Sequence, residues 1–183
     1  MNKVRLVLFP QDAESPKIDP AVLTGGLRAI GLIGAHMQST MHCYQPGDQF
    51  MGLITFLGCS PTVASASQAG ENPNVYAVEL PTPVDDIQLV AGSRLRAPRC
   101  PECDAEKSVW HGTIASAQEV VTCDQCGYRG ESWRWDWRRQ AGFGRSWINV
   151  WGVHEGEAVP GEKLMDALQR LSGFVWNYAY CKD

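Results

Sequence analysis

Four cysteines stand in two short pairs, CPEC at Cys100–Cys103 and CDQC at Cys123–Cys126. With two residues between its cysteines, a single tight turn can aim both sulfurs at one point while its N–H groups face them. The nineteen residues between Cys103 and Cys123 suit a hairpin that brings the two turns together. Four thiolates in a tetrahedron hold a borderline-soft cation. One structural zinc ion on Cys100, Cys103, Cys123 and Cys126 is the first expectation. A single iron suits the same sulfurs and would turn the site to electron transfer. A thioredoxin-like role fits less well, because that motif stands alone at the start of a helix.

The stretch resembles the zinc-ribbon family, whose rubredoxin-like knuckles CPEC and CDQCGY match with Pro101 inside the first and Gly127 after the second. The first pair departs from the pattern by placing Asp104 where glycine is common. The resemblance covers residues 98–140, less than a quarter of the chain. It implies a three-stranded metal-bound ribbon. It leaves activity open, since ribbons serve nucleic-acid binding, protein contact and plain stabilisation.

Beside the second pair runs GYRGESWRWDWRRQAGFGR. Read as a strand, it puts Trp133, Trp135 and Trp137 on one face and Arg134, Asp136 and Arg138 on the other. From Arg129 to Arg145 five arginines face only Glu131 and Asp136. Two readings follow. The indoles seal a thin core, or they stack nucleic-acid bases while arginines track phosphates. On the second reading Arg134, Arg138 and Arg139 touch an anionic partner, nucleic acid or an acidic protein.

Cys43, Cys59 and Cys181 are not needed by the pairs. Cys59, at the exit of the apolar run FLGCSP, is the one catalytic candidate, with His36, His42 or His154 as its base. His42, Cys43 and Cys59 could also form a second metal site. No motif supports either, and a free cysteine is commonly a small buried hydrophobe. His111 reads as a surface residue. HExxH, GxSxG and the P-loop are absent.

The elements that must position these residues alternate. KVRLVLF at 3–9 reads as a strand with Val4, Leu6 and Leu8 on one face. Asp19-Pro20 opens a helix with Leu23, Leu27, Ile30 and Gly34 at helical spacing, its glycines suited to close packing on a sheet. Residues 39–61 read as a strand, a Pro-Gly-Asp turn and a second strand, followed by a small-residue loop, TVASASQAGENPN. VYAVELP, IQLVAG, RSWINVWGV and FVWNYAY are further strands. PGEKLMDALQRLSG is a helix with Leu164, Leu168 and Leu171 buried and Gly173 as its stop. The order gives an α+β fold: an antiparallel sheet with two helices, a ferredoxin-like arrangement being one solution. Residues 1–97 and 141–183 form it, and 98–140 interrupt it as an inserted ribbon.

Composition bounds the rest. The chain of 183 residues carries a net charge of −4, so it is not basic overall, although a local basic patch remains allowed. A hydrophobic share of 44% is ordinary for a globular domain. The longest apolar stretch holds Arg28 and several glycines, which argues against a membrane span. Cysteine pairs without an export signal point to a reducing compartment, with the cytoplasm as the address. Taken together, these features suggest a binding or adaptor module with a structural metal. The alternatives are an enzyme built around Cys59, or electron transfer at iron.

Overall fold

The fold is arranged around β1 (Val4–Pro10) in a computed structural model that describes residues 4–38, 42–57, 76–107, 117 and 119–183. Leu6 and Leu8 are buried on one face of this strand, and Val7 and Phe9 on the other. Such two-sided burial belongs to a central strand. Its antiparallel neighbours are β10 (Ile148–Trp151) and β12 (Trp176–Lys182). With β2 (Ile33–His36), β3 (Cys43–Pro46) and β5 (Ala77–Glu79) they form a six-stranded sheet of order β12-β1-β10-β5-β3-β2. Every pairing in it is antiparallel.

Two helices cover the first face. α1 (Pro20–Ala29) begins where the sequence places it, with Asp19 Oδ1 accepting from the N–H groups of Ala21 (2.7 Å) and Val22 (3.3 Å). α3 (Glu162–Ser172) stops at Gly173, whose φ of 79° is the left-handed cap and whose N–H donates to Gln169 O. Leu23 and Leu27 of α1 join Leu164 and Leu168 of α3 over Leu6, Leu8, Val78, Ile148 and Val150. The fold is therefore α+β. Its four strands β12-β1-β10-β5, with α1 after β1 and α3 between β10 and β12, keep a β-α-β-β-α-β order, and β3 and β2 extend the sheet beyond β5.

On the second face, β6 (Gln88–Ala91) pairs with β9 (Ala141–Gly144). Val90 of that ribbon packs with Val7, Phe9, Ala179 and Cys181. The approach is close enough to require glycine. A Cβ on Gly142 would lie 2.3 Å from the Phe9 ring, and one on Gly92 would lie 2.0 Å from Lys182 O. Two further pairs are β4 (Ile54–Phe56) with β11 (Ala158–Pro160), and β7 (Val120–Thr122) with β8 (Arg129–Glu131).

Several local expectations change. α1 ends at Ala29, and Gly31 (φ 74°) turns the chain so that Gly34 lies in β2. Gly26 packs on a helix rather than on the sheet, its missing Cβ leaving room for the Leu171 side chain. The second strand expected after the Pro-Gly-Asp turn is first a short helix, α2 (Phe50–Leu53). Phe50 and Leu53, three apart, are buried while Met51 and Gly52 between them face out, which is a helical pattern. The loop TVASASQAGENPN lies outside the described residues.

Candidate metal centre

Each cysteine pair sits on the same closed loop. Cys100 N–H donates to Ala105 O and Asp104 N–H donates back to Cys100 O, both at 2.9 Å. In the second loop Cys123 N–H donates to Tyr128 O (2.7 Å) and Gly127 N–H to Cys123 O (3.1 Å). Both loops turn through a left-handed residue, Asp104 at φ 59° and Gly127 at φ 77°. Aspartate is among the few L-residues that enter this region readily, so the departure from glycine changes the residue but not the turn.

The loops face one another. The sulfurs of Cys100 and Cys126 are 3.6 Å apart, as are those of Cys103 and Cys123. All four lie within 4.8 Å of one another. A tetrahedron with metal–sulfur bonds of ~2.3 Å needs sulfurs ~3.8 Å apart, so the group could hold a metal ion with little adjustment. Cys100 and Cys123 are buried, while Cys103 and Cys126 face solvent. Among the described residues this is the one such group of three or more ligating side chains.

The electrostatics favour a cation. The N–H groups of Cys126 and Gln125 point at the Cys123 sulfur and bring its thiol down to about 6. For Cys103 the Ala105 N–H acts in the same direction, but lost hydration and the three neighbouring sulfurs win and push it up to about 12. Thiolate charge therefore accumulates unwillingly in the group until a cation shares it. Lys107 joins the loops, donating to Thr122 O (2.9 Å) and Asp124 Oδ1 (2.7 Å).

The tryptophan run holds the first loop from behind. Arg99 and Asp136 exchange backbone hydrogen bonds of 2.8 and 3.0 Å, and Arg99 also bridges Glu106. Trp135 and Trp137 flank Asp136 and turn inward together, joining Cys100, Cys123 and Val121 in one buried cluster. That cluster includes Ala13, Ile87, Ala141 and Phe143, so the cysteine segment shares its core with the rest of the chain. The indole of Trp137 donates to Ser132 O (2.8 Å) and tilts against Phe143.

The continuous strand expected over 133–137 is not formed. β8 ends at Glu131, and a 3-10 turn covers Ser132–Arg134. Arg138 and Arg139, at φ 51° and 58°, then reverse the chain. Trp133 leaves the common face as a result and is half-buried. The three arginines singled out for an anionic partner are engaged internally. Arg134 Nε pairs with Glu131 (2.7 Å), and Arg138 pairs with Glu106 (2.8 Å) and donates to Ala97 O. Arg139 donates to the Tyr178 hydroxyl and stacks over its ring. Trp133, Arg134, Arg139 and Tyr178 rim a cavity of about 410 Å³ between the cysteine segment and the end of β1.

Cys59 and His111 lie outside the described residues, as does most of the hairpin expected between the cysteine pairs. Of the other candidates, His36 meets Tyr44 edge-on and His154 is exposed. Cys43 and Cys181 are buried. Lys107 and the Arg99–Asp136 bridge were not singled out in the sequence. Only the position of Lys107, four residues past Cys103, could have hinted at its role. No helix among the described residues is long and apolar enough to cross a membrane. Comparison with protein-family models, with curated proteins and with solved structures gives no match.

Proposed function

We propose that the protein is a binding module whose cysteine segment is held by one structural zinc ion on Cys100, Cys103, Cys123 and Cys126. The observation that carries this reading is the convergence of four sulfurs within 4.8 Å on two loops of the same form. All four positions around the ion are taken by protein sulfur, whereas a catalytic zinc keeps one open. A tetrahedral four-cysteine set is a common structural zinc site, and iron is the second occupant it suits. Electron transfer is the function iron would bring.

The zinc orders the segment that carries Trp133, Arg134 and Arg139 to the rim of the 410 Å³ cavity. That rim is where a partner would bind. An anionic partner, nucleic acid or an acidic protein, must draw Arg134 from Glu131 and Arg139 from Tyr178. The basic face is thus weaker than the arginine count suggests. Trp135 and Trp137, both buried, support the packing reading of the indoles.

Metal analysis of the purified protein tests the reading, with one zinc per chain and a colourless solution expected. Cys123→Ser should abolish stoichiometric zinc and lower amide protection across residues 119–137 more than tenfold, leaving β1, β10 and β12 protected. A coloured, iron-bearing protein would replace zinc by iron in this proposal. A Cys123→Ser chain with full zinc and unchanged protection would overturn it. Titration with short single-stranded RNA and DNA at two salt concentrations, with an Arg134/Arg138/Arg139→Ala control, tests the rim. Salt-sensitive binding lost in the control would make it a nucleic-acid surface.

A further inference from the structure

Among the described residues, the second face of the large sheet is only partly covered. The ribbon of β6 and β9 lies over β1 and β12, where Val90 meets Val7 and Ala179. Sheet register carries the same face onward from Val7 to Asn149 and from Asn149 to Glu79. There a cavity of about 390 Å³ opens, with Glu79 and Asn149 in its lining, the β6 residues Leu89 and Val90 along one side and Trp147 and Trp151 along another. This is within the range of small-ligand pockets.

Two donors of this cavity converge on the Glu79 carboxylate. Asn149 Nδ2 donates to Glu79 Oε2 at 3.0 Å, and Trp151 Nε1 donates to the same oxygen at 2.7 Å. The carboxylate fixes the amide's orientation, because the reverse would set two oxygens against each other. Asn149 is 5% exposed, and its Oδ1 has no hydrogen-bond partner. Buried polar atoms in native proteins are nearly always satisfied, so this acceptor is an anomaly, as is the Arg5 Nε donor in the same lining.

The half-buried Glu79 joins none of the ion pairs among the described residues. The cation in the cavity, Arg5, is engaged through its terminal nitrogens, while its buried Nε has no hydrogen-bond partner. Its guanidinium pairs with Asp183 (3.0 Å), donates to Ala91 O (2.8 Å) and stacks on Trp151.

We infer that this cavity is a binding site for an organic ammonium ion, with the Glu79 carboxylate as counter-ion and the apolar body of the ligand against Trp147, Leu89 and Val90. A hard metal ion fits less well, since it needs about six oxygen ligands and the side chains of this cavity offer one carboxylate and two amides, Asn149 and Gln88.

The test is a titration of the zinc-loaded protein with phenethylammonium, read by NMR on the Trp151 indole N–H, which donates to Glu79. A saturable shift of that resonance is expected, with the neutral 2-phenylethanol at least tenfold weaker. Glu79→Gln keeps an oxygen for both donors and should fold, yet lose phenethylammonium at least tenfold. A capped lysine peptide binding more tightly than the free amine, with the same dependence on Glu79, would place the ammonium on a partner chain and also support the site. Equal binding of amine and alcohol, or undiminished binding by a folded Glu79→Gln protein, would overturn it.

Discussion

Asp104 and Gly127 occupy the same station in two copies of one loop, each directly after the second cysteine of its pair and each left-handed, at φ 59° and 77°. The relation explains why the first loop does without glycine. It also separates the consequences of changing either residue.

Gly127→Ala meets no steric obstacle, since nothing lies within 4 Å of the added Cβ. Its cost is purely conformational, about 1–2 kcal/mol for a left-handed L-residue. Asp104→Gly relieves backbone strain and loses an exposed pair with Arg99 at 3.1 Å, a contact of ~0–1 kcal/mol, so its net effect is small. Thermal unfolding with a zinc-competition titration should find Gly127→Ala weaker in both and Asp104→Gly close to wild type. Equal losses would mean that the loops are not equivalent.

Glycines elsewhere divide by what surrounds them. Gly25 in α1 has open space around its missing Cβ, and alanine there should add ~1 kcal/mol of stability through helix propensity. Gly92→Ala would drive a methyl to 2.0 Å from the Lys182 carbonyl oxygen, where backbone cannot yield. It should destabilise by about 1–3 kcal/mol or more, as overpacking does. Denaturant midpoints of the two variants should move in opposite directions; movement in the same direction would contradict the contact of Gly92 with β12.

Thiol chemistry separates the remaining cysteines. Burial pushes the Cys181 thiol up to about 11, and Cys43 is raised too, by burial first and then by the Glu79 charge. Only the thiolate alkylates, so the rate at Cys181 should be negligible at neutral pH and climb with pH, without levelling before about 11. Peptide mass spectrometry after iodoacetamide at graded pH measures this for each cysteine. Preferential labelling of Cys59 at neutral pH would favour the enzyme alternative, and slow, unselective labelling would remove it.

The cluster of four cysteines was legible because its signal is local: residue type, spacing and turn. The same holds for Asp19 as a cap and Gly173 as a stop, each read from a few adjacent residues and each present. The tryptophan run was misread where a distant partner decides the outcome. Its period of two fits a strand, but of this run only Asp136 pairs with the backbone of Arg99, and Ser132 is drawn inward by Ala117 O. Residues 50–53 show the same limit, since an apolar run reads alike as short strand or short helix until its neighbours fix which side chains are buried. The Glu79–Asn149 pair had no signal at all, as the two side chains are 70 positions apart in sequence and only sheet register brings them together.

The placement of β1 bears on how the chain is made. Both of its sheet neighbours, β10 and β12, are encoded beyond residue 147. During synthesis this strand leaves the ribosome well before either partner, so both of its edges stay without sheet hydrogen bonds until Ile148–Trp151 and Trp176–Lys182 follow. The cysteine loops need no such delay, because Cys100 to Cys126 is a short span that a captured ion can close early. Vectorial folding would then order a metal-loaded cysteine segment before β10 and β12 complete the sheet around β1.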